Sequence, residues 1–449
     1  MDTTTKEYCE DVLPAYTPMP WSLKEIRAAI PVELFVKDTP RGLLYFARDV
    51  LLAAVAWSLA TAIDPFFKHT VTREHLTPVG AEVVRWAAWG VYWWFQGLIF
   101  TGIWVIGHEC GHGAFSDYKI VNDTIGFVSH TFLWTPYFSW KISHHRHHSN
   151  HASMERDEVY VPKTREDLGI PDETKGVHID YDEIFGDTPI YTLYMLIRQQ
   201  VLAFPAYLLF NVSGQKAYPK WTNHFDPNSF LFTRAQRNAV IISNIGIAAM
   251  VWGISYASSV YGAAQVIKYY GIPWLEVTHW FVMITYLHHT DPEIPHYRGK
   301  EWNFQRGAAA TVDRNFLGWQ GRFFLHDVAH FHVIHHVSLF LPLALRALLV
   351  YATPSSSQKC HSFYQVYLMF CLGLADHAPE ATQHLKAFIG DHYAYSEKPA
   401  FKALWDNYNN CQFVENEGEV LFYRDKKGRA LRRPADQYRV NVVDRTKAQ

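Results

Sequence analysis

WAAWGVYWWFQGLIFTGIWVIGHECGH, residues 86–112, decides the fold: from Trp86 to Gly107 it carries no charge, and it runs straight into two histidines four residues apart. As a helix, a run of that length covers about 30 Å, the thickness of a bilayer's hydrocarbon. Residues at i and i+4 share a helix face, so His108 and His112 both look out from the polar end of the segment while Cys110 points away. Ala239–Ile267 is a second charge-free run of spanning length. Val50–Ile63, Thr124–Trp140, Pro189–Gly214 (interrupted by Arg198) and Ile272–Leu287 (containing Glu276) are shorter or interrupted candidates, some expected to lie in the interface or to re-enter. Mean hydropathy is only -0.12, so substantial aqueous parts accompany the apolar segments. The expected fold class is all-α, an integral membrane helical bundle under a cytosolic cap.

Two further histidine clusters follow, His144-His145-Arg-His147-His148 and His332-Val-Ile-His335-His336. His144, His147 and His148 stand at i, i+3 and i+4, and His332, His335 and His336 repeat that spacing. Each cluster can therefore aim two or three imidazole nitrogens at one point. The three runs hold nine of the 25 histidines. A structural zinc takes four ligands, so this surplus argues for two metals or for additional supporting partners. Isolated histidines, namely His130, His151 and His279, read as packing or interface residues.

If the clusters meet, they lie on one side of the bilayer, and an even number of crossings separates the second from the third. A hairpin of 239–262 and 266–287, with 189–214 interfacial, satisfies that condition most simply. The chain then divides into a polar N-terminal segment (1–42), a membrane and catalytic domain (43–338), an apolar insert (339–374) and a cytosolic C-terminal region (375–449). The charged stretch Met154–Asp187 reads as an aqueous excursion. A net charge of -2 gives no general nucleic-acid signal. Nine Lys and Arg between Arg424 and Lys447 favour a cytosolic C-terminus under the positive-inside rule. Five scattered cysteines argue against a disulfide framework, and the polar, Pro-containing first thirty residues do not read as a cleavable signal peptide. Asn122-Asp-Thr and Asn211-Val-Ser match the glycosylation pattern, but their expected location makes modification unexpected.

The three clusters resemble the histidine boxes of the membrane fatty acid desaturases. They match His-x-x-x-His, His-x-x-His-His and His-x-x-His-His at 108–112, 144–148 and 332–336. Surrounding words are similar to those of plant and fungal delta-12 (oleate) desaturases: TPYFSWKISHHRHHSN at 135–150, ERDEVYVP at 155–162, FNVSG at 210–214, KYYGIPWL at 268–275, ITYLHHTDPEIPHY at 284–297 and GAAATVDR at 307–314. The resemblance implies two non-haem irons held almost wholly by imidazole. His108, His112, His144, His147, His148, His332, His335 and His336 would be the catalytic metal ligands, and His289 would supply a further one. His288 ranks lower, and His145, which stands where plant relatives have Arg, is not counted. His326 matches a recurring family histidine and is expected to support a ligand.

The implied reaction removes two hydrogens from an unactivated methylene pair in a fatty acyl chain, on phospholipid or CoA, with dioxygen as co-substrate and two electrons per turnover. The chain has no Gly-rich nucleotide fingerprint and no haem domain of its own. By family analogy the electrons come from cytochrome b5 and its NADH-dependent reductase, at the endoplasmic reticulum membrane. An apolar tunnel is expected beneath the histidines. Three alternatives stand beside this reading: an omega-3 desaturase or hydroxylase on the same scaffold; an intramembrane zinc protease, because His-Glu-Cys-Gly-His satisfies His-Glu-x-x-His with Glu109 as general base; and an inactive metal-binding paralogue. The insert at Leu339–Leu374 departs from the family pattern, begins three residues beyond His336, and so bears directly on the geometry of His335 and His336.

Overall fold

A computed structural model describes residues 8–69, 75–171, 179–186, 188–338 and 377–439. The insert 339–374 lies outside the described residues. The helices that position the site are α1 (Thr39–Thr61), α2 (Pro78–His112), α3 (Lys119–Phe132), α4 (Tyr137–Asn150), α5 (Pro189–Phe210), α6 (Arg237–Tyr261), α7 (Ile272–His289), α8 (His332–Ser338), α9 (Ala378–Ile389) and α10 (Ala400–Asn410), with shorter turns between them.

Local chemistry sets the helix ends. Asp38 caps α1 by accepting from the Arg41 N–H, and Thr77 caps α2 by accepting from the Gly80 N–H, each with Pro in the first turn. α2 stops at Gly113, whose φ of 66° suits glycine's freedom in the left-handed region.

α2 is the central post. Asp64, just beyond α1, meets Arg85 and Trp89, whereas Asp49 lies beside Gly102, so α1 runs antiparallel to α2. Lys268 reaches Asp64, Glu276 packs on Gly97, and Phe281 packs on Trp104, so α7 runs parallel to α2 and both end at histidines. The far end is tied by Asp64, which receives bonds from Arg85 (2.9 Å), Trp89 (3.0 Å) and Lys268 (2.5 Å). From Arg85 to His108, and from Lys268 to His289, the helical rise is about 31–35 Å. Leu98, Trp104, Phe204, Trp280, Met283 and Leu287 are buried at the core between these posts.

Three described helices are long and apolar enough to cross a membrane: Thr39–Lys68, Pro189–Phe210 and Arg234–Tyr261. α1 and α6 expose most of their apolar surface, including Leu51, Trp57, Ile245 and Trp252. α2 is not among the three, and its Gln96–Gly111 half is buried against protein almost throughout rather than exposed. The expected hairpin breaks at Gly262 (φ 84°). Thr124–Trp140 is not one segment: it divides into α3 and α4 around Trp134 (φ 61°). Pro189–Gly214, expected to be interfacial, contains a helix of spanning length, yet its two ends are held by the same layer. Thr192 receives a bond from Lys426 (2.9 Å), and Tyr207 bonds Ser143, one residue before His144 (3.0 Å).

Short strands staple the chain's two ends around the histidine layer, a minor departure from an all-α expectation. β1 (Ala15–Tyr16) pairs in parallel with β6 (Arg433–Pro434), β2 (His296–Tyr297) antiparallel with β5 (Val420–Leu421), and β3 (Val312–Arg314) in parallel with β4 (Ala394–Ser396). Much of the basic C-terminal charge is internally paired: Arg424 with Glu10 and Glu415, Arg429 with Asp425, Arg439 with Asp11.

Candidate metal centre

The three boxes converge. His108 and His112 come from the last turn of α2, His144, His147 and His148 from α4, His332, His335 and His336 from α8, and His289 from the end of α7. The helical period divides the nitrogens between two groups. In the first, Nε2 atoms stand 3.0 Å apart for His108–His335, 3.2 Å for His108–His112, and 3.1 Å for both His112–His144 and His144–His148. In the second, His289 Nε2 lies 3.4 Å from the Nε2 atoms of both His147 and His332, and the His336 ring centre is 4.8 Å from that of His332. Each i,i+4 pair serves one group, and the residue between, His147 or His335, turns to the other. The groups abut where the His148 and His336 rings stack at 4.0 Å.

These spacings fit metal coordination. Two imidazole nitrogens ~2.1 Å from a metal and at right angles to each other are about 3.0 Å apart, whereas tetrahedral ligands are about 3.4 Å apart. The first group therefore has the spacing of five- or six-coordination, and the second is wider. Buried nitrogens without hydrogen-bond partners, His289 Nδ1 and both nitrogens of His336, add to the fit. Burial and then neighbouring imidazoles depress the pKa of His108, His112 and His144 well below the usual 6.5. Such rings stay neutral and keep the lone pair a metal needs.

The surroundings orient the rings. Asp157, wholly buried in the ERDEVYVP word, accepts from His147 Nδ1 with both oxygens at 3.0 Å and from the Val159 N–H at 3.0 Å. Burial would raise its pKa, but His147 and His151 outweigh that and hold it at about 2. His332 Nδ1 donates to the Val328 carbonyl at 3.2 Å. Asp313 accepts from the Val333 N–H at 2.7 Å and from the Tyr393 hydroxyl at 2.5 Å, so the C-terminal region secures the first turn of α8. Asp157 and Asp313 were not singled out by sequence, since a carboxylate that orients a ligand has no spacing rule of its own.

Other expectations resolve as follows. His145 donates to the Gly111 carbonyl, away from both groups. Both His288 nitrogens face backbone carbonyls, of Ile284 and Ala329. His130 stacks on Trp104 and His279 packs on Trp280. His326 was expected to support a ligand; it bonds Asp49 of α1 at 2.6 Å instead, because its left-handed backbone (φ 52°) turns the ring toward α1. His151 was read as packing, but its ring centre is 4.4 Å from that of His289 and 4.8 Å from that of His336. Beneath the histidines, where an apolar tunnel was expected, Trp104, Trp140, Phe204 and Phe281 pack on one another. A cavity of about 590 Å³ opens on the flank instead, lined by Glu109, His112, His335, Lys37, Arg41 and Lys141 among others. Burial raises the Glu109 carboxyl to about 8.

Helical posts ending in a double cluster of imidazoles that could hold metal define a histidine-rich, metal-binding class of protein. Comparison with known proteins makes the class specific: residues 85–343 match the fatty acid desaturase family, and the chain belongs to it. The chain is 38% identical to the delta(12) fatty acid desaturase of Mortierella isabellina, over 90% of each chain. It is 36% identical to the omega-6 fatty acid desaturase, endoplasmic reticulum, of Brassica juncea, over 92% of this chain and 94% of that one. It is also 37% identical to the oleoyl-12-hydroxylase of Ricinus communis, over 92% of each. Family membership sets aside the zinc protease reading.

Proposed function

We propose that this chain is a membrane acyl-lipid desaturase that converts oleoyl to linoleoyl chains, a cis double bond entering at the delta-12 position. The observation that carries this reading is the convergence of His108, His112, His144, His147, His148, His289, His332, His335 and His336 into two adjoining groups. The site would take two non-haem irons, one per group. When bound, they supply the activation of dioxygen that abstraction of hydrogen from an unactivated methylene requires, which no acid or base in the chain can provide.

The chain's own residues hold, orient and shield. Asp157 fixes His147 with its proton on Nδ1 and the lone pair of Nε2 free, and the Val328 carbonyl does the same for His332. Trp104, Trp140, Phe204 and Phe281 keep water from the bundle side of the centre. An acyl chain entering from the bundle side must displace or thread among these rings to reach it.

Four crossings, by α1, α2, α6 and α7, fit a site on one membrane face. The polar tie at Asp64 stands about 31–35 Å from the histidines along two helices, a bilayer's thickness. α5, tethered at both ends to the histidine layer, lies along the interface. The histidine face is then cytosolic, in the endoplasmic reticulum membrane, with cytochrome b5 and NADH-cytochrome b5 reductase as electron donors and phospholipid or acyl-CoA as acyl carrier.

A second reading, hydroxylation at carbon 12, is kept open by the similar identity to the Ricinus hydroxylase. Fatty acid profiling of yeast expressing the chain tests both, with His147→Ala as the control. Linoleate present with the wild type and absent with the control supports desaturation; a 12-hydroxy product supports the second reading; neither product from expressed, iron-loaded protein overturns both.

A further inference from the structure

We propose that His151, which stands outside the three boxes, is a tenth imidazole of the centre and ligates the metal held by His147, His289, His332 and His336. The inference rests on the paired-metal reading above and extends it. His151 is 1% exposed and follows the last residue of α4. One ring nitrogen from each of His147, His151 and His289 lies within 4.8 Å of the others, and the neighbouring set of His289, His332 and His336 shares His289.

Its hydrogen bonding has the form of a ligand's. Nε2 lies 3.0 Å from the Ala310 carbonyl oxygen, which can only accept, so the Nε2 proton is spoken for and the neutral ring keeps its lone pair on Nδ1. Nδ1 is buried without a hydrogen-bond partner and lies 3.7 Å from Asp157, a carboxylate that already accepts from His147. A lone pair and a carboxylate are both acceptors and cannot bond one another, so the Nδ1 lone pair stays available to a metal. Donation of the second ring N–H to a backbone carbonyl while the other nitrogen binds is the usual arrangement of a metal-ligating histidine.

The backbone is built to hold the ring there. Ala152 takes a left-handed φ of 56°, costly for a residue with a Cβ, and turns the chain immediately after His151. The Trp302 indole donates to the His151 carbonyl at 3.0 Å, and Gly307 approaches so closely that a Cβ there would stand 2.2 Å from that oxygen. The 3.4 Å spacing in this group is that of tetrahedral ligands, so a four-ligand site complete without His151 is the competing reading.

The test uses the full chain in detergent, loaded with 57Fe(II) and measured by iron content and Mössbauer spectroscopy. For the wild type we expect two irons and two quadrupole doublets. His151→Ala and His151→Gln should each change one doublet alone and weaken that iron tenfold or more. Added imidazole should restore it in His151→Ala, and His145→Ala should leave both doublets unchanged. Both doublets and two irons retained in either His151 variant would overturn the inference while leaving the proposed function intact. A wild type that holds no pair of irons overturns both.

Discussion

Substituting Asp157 by Asn tests whether the buried carboxylate sets the tautomer of a ligand. Asp157 Oδ1 accepts from the Val159 N–H at 3.0 Å and the Tyr160 N–H at 3.3 Å, and both oxygens lie 3.0 Å from His147 Nδ1. In Asp157→Asn the amide oxygen stays with the two backbone donors, and the NH2 replaces the other of the two oxygens that lie 3.0 Å from His147 Nδ1, setting a donor against its proton. Two donors cannot share that contact. The ring answers by moving its proton to Nε2, the nitrogen 3.4 Å from His289 Nε2, and loses the lone pair it presents there. Loss of such an orienting partner weakens metal binding ~10–100-fold, about 1.4–2.7 kcal/mol. Competition against a chromophoric chelator, with Fe(II) or Co(II), reads this directly. We expect the weakening in the metal of the second group and none in the first. An affinity within twofold of wild type at both metals would refute the tautomer argument.

Three further outcomes follow. Metal-free protein should be acid-labile, because eight box-region histidines (His108, His112, His144, His148, His289, His332, His335 and His336) have folded pKa values below 6.5. Below pH 6.5 the unfolded chain takes protons that the folded one refuses, so their stabilisation is present above 6.5 and falls as pH drops; thermal melts from pH 7.5 to 5.5 that show no loss contradict this. Gly107→Ala should destabilise by ~1–3 kcal/mol, since its Cβ would stand 2.3 Å from the His130 ring, itself pinned against Trp104; chemical unfolding measures it, and an unchanged midpoint speaks against the packing. Tyr393→Phe removes a donor from buried Asp313 and should cost about 1–3 kcal/mol with loosened metal at His332 and His336; equal stability and metal content would show that the C-terminal clamp is dispensable.

Much of the metal centre was legible because its parts obey a short-range rule. Histidines at i, i+3 and i+4 announce a shared helix face, and the ordered words around them announce the family. The split into two groups also follows from the period, since His147 and His335 each fall between the members of an i,i+4 pair. What escaped was long-range. Asp157 and the proposed ligand His151 flank a turn in which Ala152 takes a left-handed φ and its carbonyl accepts from the Tyr297 N–H at 2.9 Å, and no periodicity marks it. His326 matched a family position, but its direction is set by a left-handed backbone and by Asp49, distant in sequence. The charge-free runs announced α2 and α6, whereas α1 reads only as the short stretch Val50–Ile63 because Arg41, Arg48 and Asp49 interrupt its first half. Thr124–Trp140 read as a single run because the turn at Trp134 carries no glycine.

Metal stoichiometry in paired variants tests the central claim most directly. Purified wild type should hold two irons per chain. His108→Ala, in the first group, and His289→Ala, in the second, should each forfeit a different one, and the double variant should forfeit both. A single zinc in the wild type, or the same metal lost from both single variants, would contradict a centre built as two adjoining imidazole cages.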